Sequence, residues 1–187
     1  MAAVVFDTSV LLLAIHPDAR PSTDPDTKQP LEHAKQRVDY LIRKLSKAKS
    51  KVVIPSPALS ELLVHAGTAV NDYVAKLQQT PFSVASFDTR AAIECAHAVR
   101  KYGIKGKGQT NPRAKIKFDR QIVAIAQVAG ADTIYSDDSD IFNYGSQAGI
   151  KVIRSYELEL DPDERQQKLD LEAGEQKPET SDVIGLV

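Results

Sequence analysis

Ala2-Ala3-Val4-Val5-Phe6-Asp7-Thr8-Ser9 is the stretch on which the reading of this chain turns. A short, unbroken apolar run is the mark of a strand buried on both faces, as in a parallel sheet. It stops at an acid and two hydroxyl residues, any of which could cap the helix suggested by Val10-Leu11-Leu12-Leu13-Ala14-Ile15. Working outward, Val52-Val53-Ile54, Phe82-Ser83-Val84, Thr133-Ile134-Tyr135 and Val152-Ile153 read as further strands. Between them lie amphipathic stretches at 31–49, 57–66, 69–79, 88–102 and 115–129, with apolar residues three and four apart. The order β-α-α-β-α-α-β-α-α-β-α-β predicts an α/β protein, a parallel sheet layered between helices in a three-layer α/β/α sandwich. Residues 16–30 carry Pro17, Pro21, Pro25 and Pro30 and read as a mobile loop.

Composition narrows the class. The chain has 187 residues, enough for one domain with appendages. Its single cysteine, Cys95, excludes an internal disulfide and fits a reducing, cytoplasmic setting. The first apolar run meets Asp7 too early for a signal peptide, and no run is long enough for a membrane span. Four scattered histidines cannot make a zinc cluster of standard spacing. The net charge of −1 hides a segregation. Residues 100–120 hold eight bases against one acid, residues 28–51 hold eight against two, and residues 157–187 hold ten acids against three bases. The first two can bind a polyanion locally. The last reads as an acidic, disordered tail appended to a domain of residues 1–156.

The chemistry resides in carboxylates. Asp7 directly follows one buried strand; Asp137, Asp138 and Asp140 follow another. In a parallel sheet all strand carboxyl ends share one edge, where ligands of α/β proteins bind. Asp119 lies about 60° from the middle of the apolar stripe of its helix, at the edge of the buried face. Glu61 lies about 130° from the apolar centre of its own helix, a weaker signal. Each acid also has an ordinary use: Asp7 as a helix cap, Asp138 or Asp140 as the cap of the turn after its strand, Asp119 as partner of Lys115 at i−4, Glu61 as a solvated residue. Three or four carboxylates on one rim repel one another, and Mg²⁺ or Mn²⁺ are the natural occupants of an all-oxygen site.

Four segments, in order, carry a resemblance: Asp7-Thr8-Ser9 after a strand, Ala58-Leu59-Ser60-Glu61-Leu62, Phe118-Asp119-Arg120-Gln121-Ile122-Val123-Ala124-Ile125-Ala126, and Ile134-Tyr135-Ser136-Asp137-Asp138-Ser139-Asp140. Over residues 3–154 the chain resembles the PIN-domain ribonucleases, and among them the VapC-type toxins of toxin–antitoxin pairs. The resemblance implies a Mg²⁺- or Mn²⁺-dependent endoribonuclease cutting single-stranded RNA. It implies Asp7, Glu61, Asp119 and Asp138 as the catalytic, metal-holding acids, and Asp140 as an auxiliary acid. Asp137 competes with Asp138, since a one-residue shift at the strand end exchanges them. Ser136, Thr8 and Ser9 become supporting hydrogen-bonding residues. It also implies a homodimer and, for a toxin, a protein antitoxin. Lys105, Lys107, Arg113, Lys115, Lys117 and Arg120 are the candidate RNA-binding bases.

Several departures bear on the toxin role: the Pro-rich loop, the long basic loop, the acidic tail, and Ile141 where the family more often has Phe. PIN nucleases of RNA processing and non-catalytic RNA-binding PIN domains are the alternatives. A HAD-like phosphatase wants a second Asp two residues after the first, where Ser9 stands, and a receiver domain wants paired acids ahead of it. Gly103-Ile104-Lys105-Gly106-Lys107-Gly108-Gln109-Thr110 lacks the order of a phosphate-binding loop. Cys95, His65 and His97 read as structural.

Overall fold

The computed structural model describes residues 3–80, 82–103 and 113–162, the side chains of 113–116 excepted. Five strands form one parallel sheet: β1 (Ala3–Phe6), β2 (Lys51–Pro55), β3 (Phe82–Ala85), β4 (Ala131–Tyr135) and β5 (Lys151–Ile153), in spatial order β3-β2-β1-β4-β5. The helices are α1 (Thr8–Ile15), α2 (Ala34–Lys47), α3 (Ser56–Ala66), α4 (Val70–Gln78), α5 (Thr89–Tyr102), α6 (Arg113–Val128) and α7 (Ser139–Gln147). The expected α/β order of elements is the observed one.

β1 is central because its four residues are all buried. Val4 and Val5 pair with Val52 and Val53 on one side, and Val5 and Phe6 with Ile134 and Tyr135 on the other. Phe6 meets the rings of Phe82 and Tyr135 edge-on, at centroid distances of 5.6 and 5.4 Å. The chain builds β2 and β3 on one side of β1, then crosses to build β4 and β5 on the other. β1 and β4 therefore flank the point where strand order reverses, and open α/β sheets bind ligands outside the strand carboxyl ends at such a point. Residues 7 and 136–138 lie there.

α6 is covered by α5, by α7 and by the sheet. Its core residues run almost all the way round: Ile122, Val123, Ala124, Ile125 and Ala126 are all buried. Since α6 leads into the parallel strand β4, its N-terminal half, with Asp119, lies toward the carboxyl edge of the sheet. α7 lies close on β5: a Cβ on Gly145 would come within 2.5 Å of Val152 Cγ2.

Two regions differ from expectation. The Pro-rich segment is built rather than loose. Asp24 Oδ1 accepts from Asp26 N and Thr27 N at 2.8 and 3.0 Å, Thr23 bridges Pro30, and Ser22 Oγ lies 2.7 Å from Ser155 Oγ. Those two backbone N–H groups hold the Asp24 carboxyl below its ordinary pKa. Secondly, the first residues of the stretch expected to be a disordered tail, 157–161, are packed. Leu158 and Leu160 are buried, Arg37 donates to the Leu158 carbonyl, and Lys44 and Arg43 pair with Glu159 and Asp161 at 2.8 and 2.5 Å. Residues 155–161 thus form a strap docked on α2. Residues 163–187 lie outside the described residues.

Candidate active site

Asp7 is the pivot of the rim. Its carboxyl is only 4% exposed. Although it stands at the N-cap of α1, its side chain makes no capping bond. Instead Oδ2 accepts from Ser136 Oγ at 2.8 Å and Ser9 Oγ at 3.2 Å. The backbone seats it, with Asp7 N donating to Tyr135 O at 3.1 Å and Leu11 N to Asp7 O at 3.0 Å. Burial pushes its pKa from 3.8 to about 6; the hydrogen bond from Ser136 pulls the other way, and the charges of Glu61 and Asp138 add to the rise. A buried carboxylate made harder to ionise by neighbouring carboxylates is an arrangement that a cation would relieve.

A cluster of three further acids could hold a cation. Asp119, Asp138 and Asp140 each present an oxygen, all within 4.8 Å of one another. Asp119 is buried at 6% exposure, which agrees with its place at the edge of the apolar stripe. Asp138 follows β4 and caps α7, its Oδ1 accepting from Asp140 N at 2.7 Å and Ile141 N at 3.3 Å. Its ordinary use as a cap is therefore real, and it fixes the carboxyl plane. Asp140, in the first turn of α7, is buried as well.

Glu61 is exposed on α3, and Thr8 Oγ1 donates to its Oε2 at 2.6 Å, reaching toward the Ala58 carbonyl at 3.3 Å as well. Thr8, the residue next to Asp7, thus ties Glu61 to the start of α1. Ser9 acts twice, donating to Asp7 and accepting from Asp137 N at 3.1 Å. Ser136, fully buried, likewise donates to Asp7 and accepts from Asp138 N at 3.1 Å.

Asp137 faces elsewhere. Its two oxygens accept from Ser155 N and Ser155 Oγ, both at 2.8 Å. Of the two competing acids, Asp138 joins the cluster and Asp137 fastens the turn after β5. Sequence reasoning did not single out Arg154, which donates to the Asp137 carbonyl at 2.7 Å and stacks 5.1 Å from the Phe142 ring centroid. A basic residue placed directly after a strand carboxyl end was the signal available for it.

The candidate RNA-binding bases divide. Lys117 is exposed. Lys105 and Lys107 lie outside the described residues, as does most of the Gly- and Lys-rich stretch around them. Arg113 and Lys115 belong to α6, with side chains outside the description. Arg120 differs from Lys117: it is 4% exposed, its guanidinium carbon 4.1 Å from the centroid of the Tyr144 ring, because α5 and α7 cover the face of α6 on which it sits.

Among the described residues no helix is long and apolar enough to cross a membrane. No curated protein matches the chain. Among solved structures, VapBC2 from Rickettsia felis, bound to a DNA fragment from their promoter, is 14% identical, with a TM-score of 0.55 over 81% of this chain and 98% of that one. DNA-bound VapBC from Salmonella typhimurium is 17% identical, with a TM-score of 0.52 over 83% and 99%. At such identities the likeness is one of fold. The family model for the PIN domain matches residues 4–146, which is most of the chain and includes every acid of the rim, and the chain belongs to the PIN domain family.

Proposed function

We propose that this PIN domain is a divalent-cation-dependent endoribonuclease that cuts single-stranded RNA. The observation that carries the reading is the approach of Asp119, Asp138 and Asp140 oxygens to within 4.8 Å, beside a buried Asp7. The donor set is all oxygen, which fits Mg²⁺ or Mn²⁺ and not a soft metal. Asp7, Asp119 and Asp138 would hold the cation, and Asp140 would assist. Bound there, it supplies Lewis-acid stabilisation of charge developing on a phosphodiester.

The chain's own residues do the rest. Ser136 and Ser9 keep Asp7 oriented, and the α7 cap keeps Asp138 from turning away. Glu61, exposed and held by Thr8, would orient the attacking water or accept its proton. Lys117, together with Lys105, Lys107, Arg113 and Lys115, would contact phosphates on either side of the scissile bond. Arg154 adds a cation at the end of β5.

A toxin paired with a protein antitoxin, acting as a homodimer in the cytoplasm, is the form of this activity we favour. Its support is the VapC-like fold together with exposed apolar side chains on three helices: Val64, Phe118 and Phe142. The substrate test presents one sequence as single-stranded RNA, duplex RNA and single-stranded DNA, each with Mn²⁺. The expected result is internal cleavage of the single-stranded RNA and little of the others. Equal cutting of the DNA would contradict RNA specificity; intact RNA beside folded protein would contradict the activity.

A further inference from the structure

A cleft of about 270 Å³ opens between α5, α6 and α7, and none of Asp7, Asp119 or Asp138 lines it. Arg120 lies in its wall. This guanidinium is buried against Tyr144, and its Nη2 donates to the Gly103 carbonyl at 2.6 Å. Its Nε, however, has no hydrogen-bond partner among the described residues, and no ion pair there offsets its charge. Gln147, in the same wall, holds a buried Oε1 with no partner among the described residues either. Folded proteins rarely strand two buried polar atoms beside one space unless something entering that space meets them.

The chemistry of the walls says what that something is. Among the described wall residues Lys101 joins Arg120 against one acid, Glu94, so the cleft favours negative charge. Val123 and Ala124 give it an apolar side. Its volume lies near the lower end for small-molecule sites and exceeds what one inorganic anion fills. We propose that this cleft binds a small organic anion, its carboxylate or phosphate meeting Arg120 and its apolar body lying on α6. The site is separate from the acid cluster and does not rest on the nuclease reading.

Benzoate and phenyl phosphate present the two anionic groups on one body, and benzyl alcohol is the neutral control. Each is titrated into the full chain in EDTA and followed by amide chemical shifts. We expect saturable shifts in α5, α6 and α7 from at least one anion below about 10 mM, with benzyl alcohol at least about tenfold weaker. Which anion binds more tightly tells whether the natural ligand is a carboxylate or a phosphate ester. Arg120→Gln should weaken binding about tenfold or more. Should that variant fail to fold, Ala98→Phe fills the cleft while leaving Arg120 in place, and should abolish the shifts. Absence of saturation by both anions, binding unchanged in a folded variant, or shifts centred on Asp7 and Asp138 would each overturn the proposal.

Discussion

Ser136 Oγ lies 2.8 Å from Asp7 Oδ2, so the last residue before the acidic turn of β4 holds the first acid of β1 across the sheet. The bond joins neighbouring strands at the point where strand order reverses. It is the strongest influence opposing the rise in the Asp7 pKa that burial causes. Ser136→Ala should therefore raise that pKa further and leave the carboxyl free to rotate. Cleavage is expected to fall about 10- to 100-fold, the usual cost of losing a group that orients a metal ligand. The loss should be deeper at pH 6 than at pH 8, and a pH–rate profile of both proteins checks it.

Burial of the Asp7 carboxyl costs stability once it ionises. Its folded pKa, about 6, lies above the ordinary 3.8. The native state thus keeps a proton that the unfolded chain releases. Stability of the metal-free protein falls as pH rises from about 3.8 to about 6, and stays lower above that. Asp7→Asn removes the charge and should stabilise the protein at pH 8 by up to about 3 kcal/mol, from roughly two pKa units. At pH 4 the difference should nearly vanish. Urea unfolding in EDTA at both pH values measures it, and added Mn²⁺ should stabilise only the wild type.

Asp137 and Asp138 are adjacent yet do different work. Asp138→Asn should weaken Mn²⁺ binding and cleavage at least about tenfold, while an amide oxygen preserves much of the α7 cap. Asp137→Ala leaves Ser155 N without its acceptor and Ser155 Oγ with only Ser22 Oγ to bond to, and should cost about 1–3 kcal/mol with cation affinity little changed. Calorimetric Mn²⁺ titration beside thermal melts separates the two.

Much of this site was legible in the residues. Asp7 and Asp138 could be placed on one rim because parallel strands share their carboxyl edge, and Asp119 because a helical count sets it beside Ile122 and Ala126. The choice between Asp137 and Asp138 was not legible, since it depends on where Ser155 sits after β5. The burial of Arg120 was not legible for a different reason. A count of one apolar stripe assumes one buried face, and α6 is covered by two helices as well as the sheet. The strap carried a signal in the alternation Glu157-Leu158-Glu159-Leu160-Asp161, with every second residue apolar. The count of acids over the whole segment obscured it.

That strap should be held by its leucines more than by its charges. Leu158→Ala is expected to cost about 2 kcal/mol or more, whereas Lys44→Ala removes an exposed ion pair worth under about 1 kcal/mol. Denaturant midpoints of the two variants give the ordering, and a larger loss from Lys44→Ala would show that charge is what docks the segment.

The most direct measurement is cleavage of a mixed pool of single-stranded and structured RNAs by wild type and Asp7→Asn, each with Mn²⁺, Mg²⁺ or EDTA. The acid cluster predicts cutting by the wild type with either cation, none in EDTA, and none by the folded variant. Cutting that persists in EDTA, or in Asp7→Asn at the wild-type rate, would contradict a cation-centred nuclease built on Asp7.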